Sequence, residues 1–117
     1  MVQNRILECS FFIPIRRDFN LSDGELHSAE AWEWLNDAMF ARFSGETVAP
    51  GLYEGFYRDP DTKLRVSDQS FRFIVAVSAK QIDELRGLLS EACCQFQQKC
   101  IYLSVAGEVE FIEAVNP

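Results

Sequence analysis

Residues 71–96 read FRFIVAVSAKQIDELRGLLSEACCQF, and a change of period inside this stretch decides the fold. Up to Ser78 the apolar residues Phe71, Phe73, Val75 and Val77 take every second position, with Arg72, Ile74 and Ala76 between them. That is the repeat of a strand with one buried face. After Ser78 the spacing becomes helical, and Ile82, Leu85, Leu88, Leu89, Ala92 and Phe96 form one apolar stripe. Ser78 and Gln81 make an S-x-x-Q capping box, in which each side chain can satisfy a free backbone N–H at the helix start. This helix is predicted to end near Gln98.

Downstream, Ile101, Leu103 and Val105 alternate in another strand. Beyond Ala106-Gly107, residues 109–112 either extend that strand past a bulge or fold back as a further one. Upstream, Asp59-Pro60-Asp61-Thr62 is turn chemistry, with Pro60 preset for the turn and two aspartates able to bond the local backbone. It joins the strand of residues 71–77 to an earlier one over residues 48–58, which carries Tyr53, Phe56 and Tyr57 and is interrupted by Gly51 and Gly55. Before it, Ser28 can cap a helix running to about Phe43, with Ala31, Trp32, Leu35, Ala38, Met39 and Phe43 on one face and Ser44-Gly45 as its stop. The first strand is Ile6 to Ile15, where Leu7, Cys9, Phe11, Ile13 and Ile15 alternate.

The order strand, helix, strand, strand, helix, strand predicts an α+β fold of the ferredoxin-like split β-α-β kind. Its antiparallel sheet has four to five strands, and right-handed crossovers put both helices on one face. At 117 residues, with no linker or repeat, the chain is expected to form a single domain over 1–117. With Gly55-Phe56-Tyr57-Arg58-Asp59-Pro60-Asp61 after an acidic aromatic helix, the sequence resembles a bacterial domain-of-unknown-function family of small ferredoxin-like proteins. The resemblance implies the fold and assigns no catalytic residue.

Composition narrows the function. Eleven basic and eighteen acidic side chains give a formal charge of −7, which repels nucleic acid and anionic membrane surfaces. No stretch is apolar for the ~20 residues of a membrane span, and residues 1–8 lack a signal core, so a cytoplasmic location is expected. Cys9, Cys93, Cys94 and Cys100 have neither disulfide-framework nor zinc spacing and read as reduced thiols. His27 is the single histidine and the one weak candidate for a general base, but no orienting partner accompanies it, so a structural or neutral role is expected. P-loop, G-x-G-x-x-G, G-x-S-x-G and H-E-x-x-H patterns are all missing, and the sequence calls for no metal and no cofactor.

The sheet face turned away from the helices is more informative. Phe12, Ile74, Ala76 and Tyr102 fall there among Glu8, Ser10, Arg72 and Ser104, joined by either Tyr53 and Tyr57 or Leu52, Glu54 and Phe56, depending on register. A solvated antiparallel face should be mostly polar, and this one is mixed. The expectation is a homodimeric binding or structural module that covers this face, with Phe12, Tyr53, Tyr57, Arg72, Ile74 and Tyr102 as dimer or ligand residues. The alternative is a small cofactor-free enzyme of the dimeric α+β barrel type, acting on an aromatic or hydrophobic small molecule. A small-molecule sensor is a third reading.

Overall fold

The structure is a computed structural model and describes residues 5–115. Its strands are β1 (Ile6–Pro14), β2 (Thr47–Val48), β3 (Tyr53–Arg58), β4 (Arg65–Ser78), β5 (Cys100–Val105) and β6 (Glu108–Glu113), and its helices are α1 (Ala29–Phe43) and α2 (Ile82–Gln95). All pairings are antiparallel in one six-stranded sheet ordered β2-β4-β1-β5-β6, and β3 also pairs with β4.

The alternation in β1, β4 and β5 puts Cys9, Phe11, Ile13, Phe73, Val75, Val77, Ile101 and Leu103 on one face, where they form a single buried cluster with residues of both helices. Leu35, Met39, Leu85, Leu89 and Phe96 are all fully buried there, as their helical spacing predicts. Cys93 joins the cluster while Cys94 is exposed, and all four cysteines are free thiols. Ser28 caps α1 by accepting from the Ala31 N–H, and Ser44 ends it in the left-handed region at φ 67°.

Several details refine the sequence reading, among them the start of β4 at Arg65, six residues ahead of the strand expected over residues 71–77. The strand expected over residues 48–58 breaks in two at Gly51, whose φ of +81° suits a residue without a Cβ. Residues 108–113 fold back as β6, one of the two arrangements the sequence left open, and together with the split strand this brings the strand count to six. The capping box does not close: Ser78 accepts from Lys80 N–H and opens a 3-10 turn over Ala79–Gln81, while the Gln81 amide reaches the Arg42 carbonyl at 3.2 Å and ties α2 to α1. Helix α2 ends at Gln95 rather than near Gln98.

The α1–β2 connection contains a carboxylate with one buried oxygen. One carboxylate oxygen of Glu46, Oε2, is shut off from solvent and meets no hydrogen-bond donor among the described residues. Burial alone pushes this carboxyl up to about 7. The folded state therefore holds the proton more tightly than the unfolded chain. The associated stability is fully present below the unfolded value, near 4.5, and is lost as pH rises through about 7. Urea titrations should show wild type losing about 2 kcal/mol between pH 4.5 and 8, after allowance for partial solvent screening, and Glu46→Gln losing much less. Equal pH dependence in both proteins would show that Glu46 is not the responsible group.

Candidate functional site

β4 has 14 residues and β1 has 9, so the β3–β4 hairpin runs on as an arm after β1 has ended. The last pair on that side is Pro14 with Ser70, followed by Ile15 N–H donating to the Gln69 carbonyl at 2.9 Å. The chain then turns away. Gln98, buried, donates its side-chain amide to the carbonyls of Arg16 at 2.8 Å and Phe96 at 2.9 Å, fixing the departing loop to the end of α2. The arm's tip is tied back at Asp59, whose carboxylate accepts from Asn20 Nδ2 at 2.9 Å and lies 3.6 Å from Lys99. The Asp61 and Thr62 N–H groups also donate to Asp59 and, ahead of Lys99, hold it below the usual carboxylate range. A framed opening results between the arm, the loop after β1 and the start of β5.

On the helix-free side this opening is a cleft of about 540 Å³. Register settles which side of β3 faces it: Tyr53, Gly55 and Tyr57 pair with Ser70, Asp68 and Val66 and share their face. Four rings cross the floor in edge-to-face contact, Tyr53 to Phe12 at 5.5 Å, Phe12 to Tyr102 at 5.2 Å and Tyr102 to Phe111 at 5.9 Å between centroids. Tyr57 continues the wall. Of the residues expected on this face from sequence, Phe12, Tyr53, Tyr57 and Tyr102 are brought together. Arg72 and Ile74 lie on the same face, at pairings with Phe12 and Ser10, but do not line the cleft. Glu54 and Phe56 turn their side chains to the other side, where Glu54 accepts from the Gln69 amide at 3.3 Å and Arg65 sits 4.6 Å over the Phe56 ring.

His27 is elsewhere. Its Nε2 lies 2.7 Å from the Pro14 carbonyl, and its ring stands edge-on to Phe96 at 4.9 Å and Trp32 at 5.5 Å on the helix side of the sheet. Burial lowers its pKa, which favours the neutral ring donating to Pro14.

The cleft is acidic. Burial first, and then Asp18, Asp68 and Asp59, raise the Tyr57 hydroxyl, and burial followed by Glu113 and Asp18 raises the Cys100 thiol. The nearby Lys99 is already engaged by Asp61 at 2.7 Å and Asp59. Asp68 is different, because no cationic side chain among the described residues is within ion-pair distance of it and burial alone raises its pKa. Aromatic faces beside an unpaired carboxylate suit an organic cation. Asp68, Ser70 and Phe111 escape the sequence reading. The one signal for Asp68 and Ser70 is that residues 65–70 match the strand over residues 53–58 in length across the Asp59-Pro60-Asp61-Thr62 turn, and Phe111 lies in the segment over residues 109–112 whose direction the sequence leaves open.

The chain is therefore an α+β protein with an antiparallel six-stranded sheet, whose helix-free face carries an aromatic, acidic cleft. A solved structure of a phage SAM lyase in complex with S-methyl-5'-thioadenosine is similar over 97% of this chain and 94% of that one, with a TM-score of 0.71 and 15% identity. A phage SAM lyase in the apo state is similar over 97% of both chains, with a TM-score of 0.62 and 17% identity. At such identities the likeness is one of fold. No family model matches the chain, and no curated protein matches it.

Proposed function

We propose that the cleft binds an adenosyl sulfonium such as S-adenosylmethionine and that the chain cleaves it to the neutral thioether S-methyl-5'-thioadenosine. The observation that carries this reading is the Asp68 carboxylate, without a cationic partner among the described residues and lining the same cleft as the aromatic row. A sulfonium supplies the missing charge, and its polarised carbons pack on ring faces. Likeness to phage SAM lyase structures, one of them holding the thioether, adds support at the level of fold. The reading also takes the strand order as a split β-α-β arrangement with a broken edge strand and one added hairpin strand.

In the cleavage, the electron pair of the bond between sulfur and the γ-carbon of the amino acid arm stays on sulfur, which becomes neutral. The γ-carbon is taken by the substrate's own carboxylate oxygen, closing a five-membered ring, so neither water nor a protein nucleophile is consumed. Asp68 attracts the charged substrate and loses that hold once the charge is discharged, which favours release of the thioether. Incubation with S-adenosylmethionine followed by chromatography should show S-methyl-5'-thioadenosine accumulating with time. Absence of both product and binding would overturn the assignment.

A second reading, the twofold dimer through Phe12, Arg72, Ile74 and Tyr102, is favoured by Phe111, which ends the aromatic row 65% exposed. It expects a dimer by sedimentation equilibrium at micromolar concentration and a monomer for Ile74→Asp. A monomeric wild type, or a dimer indifferent to Ile74→Asp, would reject this interface.

A further inference from the structure

We infer that the backbone of Ser67 reads the base of the bound nucleoside, donating its N–H and accepting at its carbonyl, so that adenine is chosen by peptide groups of β4. The inference rests on the adenosyl sulfonium reading above. Its ground is the hydrogen-bonding edge that β4 leaves open where β1 stops. In an antiparallel strand, the N–H and C=O of alternate residues point to opposite neighbours. The even residues of β4 turn towards β2 and β3: the Arg72 carbonyl accepts from Ala49 N–H at 2.9 Å, and the Leu64 carbonyl from Asp59 N–H at 2.9 Å. The odd residues turn towards β1, as the bond from Ile15 N–H to the Gln69 carbonyl shows. Ser67 is the next odd residue, and the β1 ladder ends before reaching it. Its N–H and C=O therefore face the opening with no backbone partner among the described residues.

The frame keeps this edge free. Gln98 holds the Arg16 carbonyl away from β4, and the tie from Asn20 to Asp59 spans the outer end. A nucleobase needs only one donor and one acceptor side by side, and the open edge at Ser67 offers both. Adenine presents a ring nitrogen acceptor beside an amino donor, which matches one peptide edge. Ser67 lines a second cleft on the other side of the arm, which adjoins the aromatic one: residues lining both include Pro14, Asp18, Gly55, Tyr57, Asp68 and Gln98. With Ser67 and Asp68 adjacent in sequence, one ligand can set its base on the strand edge and its sulfur beside the carboxylate.

Calorimetric binding of S-methyl-5'-thioadenosine and S-methyl-5'-thioinosine tests this. The inosine base carries a carbonyl and a ring N–H where adenine has its amino group and ring nitrogen, so both contacts are inverted. Wild type is expected to bind the thioinosine at least roughly tenfold more weakly, as unpaired polar groups require. Ser67→Pro removes the N–H that faces the opening but no bond of the β3 ladder, a position where a strand tolerates proline. It should weaken thioadenosine binding by a similar factor and erase most of the preference, while Ser67→Ala, which keeps the backbone, should retain both. Equal binding of the two nucleosides by wild type would overturn the base assignment and leave the sulfonium reading standing, and so would an undiminished preference in Ser67→Pro. Failure of wild type to bind either nucleoside would overturn the base assignment, and the sulfonium reading would fall with it where S-adenosylmethionine is neither bound nor cleaved.

Discussion

Replacing Phe96 with Ala is expected to lower the stability of the fold by about 3–5 kcal/mol. Phe96 is fully buried just past the end of α2, and its ring meets Trp32 at 4.8 Å, His27 at 4.9 Å and Trp34 at 6.5 Å between centroids. Three rings and a fixed helix end cannot all close on the space that a missing phenyl leaves, so a cavity term adds to the lost transfer energy. Set against a total stability of about 5–15 kcal/mol for a domain of this size, such a loss is readily measured by urea unfolding at one pH. A loss below about 1 kcal/mol would mean that the aromatic cluster collapses freely and is not a rigid support. Phe96→Leu, which keeps most of the volume, should lose much less.

The second large effect concerns charge. Asp68→Asn is expected to weaken binding of a sulfonium nucleoside roughly tenfold or more, while binding of the neutral thioether changes by no more than about twofold. The estimate allows for the partial exposure of Asp68, since a fully desolvated pair would be worth more. With the S,S-dimethyl sulfonium of 5'-thioadenosine as the charged ligand, the two differ by one methyl group and its positive charge, so their ratio separates the carboxylate's effect on charge from most of its effect on shape. Burial raises the Asp68 pKa. Sulfonium affinity in wild type should therefore fall as pH is lowered into the raised titration range, and Asp68→Asn should flatten the profile. Titration calorimetry with both ligands across pH reads this directly. An equal loss for both would show that Asp68 shapes the cleft without countering charge.

How far the sequence discloses this architecture depends on what each residue faces. In Phe71–Val77 and Ile101–Val105 one side of each strand meets the helices, so apolar and other residues alternate and the strands are legible. Helix α2 is legible for the same reason, through a stripe that ends in Phe96. The arm is not. Arg65, Ser67 and Gln69 on one side and Ser70 and Asp68 on the other are all polar, because the arm runs past the helix-packed core, and period-2 patterning vanishes without an apolar core to face. Asp68 is missed on that account. Tyr53 and Tyr57 are seen, but their facing is open in the sequence because Gly51 and Gly55 both permit a bulge. Pairing with Ser70 and Val66 decides it, and Gly55 leaves no bulge at all, lying opposite Asp68 in regular register. Gln98 reads as a helix end, and its bond to Arg16, 82 residues away in the chain, has no local signature.

The excess length of β4 over β1 also bears on how such a protein can change. Strand pairs are added or removed two residues at a time along a hairpin, each step moving the tip by about 7 Å and preserving which side every remaining residue faces. The tie from Asn20 to Asp59 joins the tip to the loop, outside the cluster that holds the helices on the sheet. Insertions or deletions between Tyr53 and Ser70 can therefore lengthen or shorten the site while the foundation stays as it is. Ligand size becomes a parameter that evolution, or an engineer, can vary almost independently of foldability.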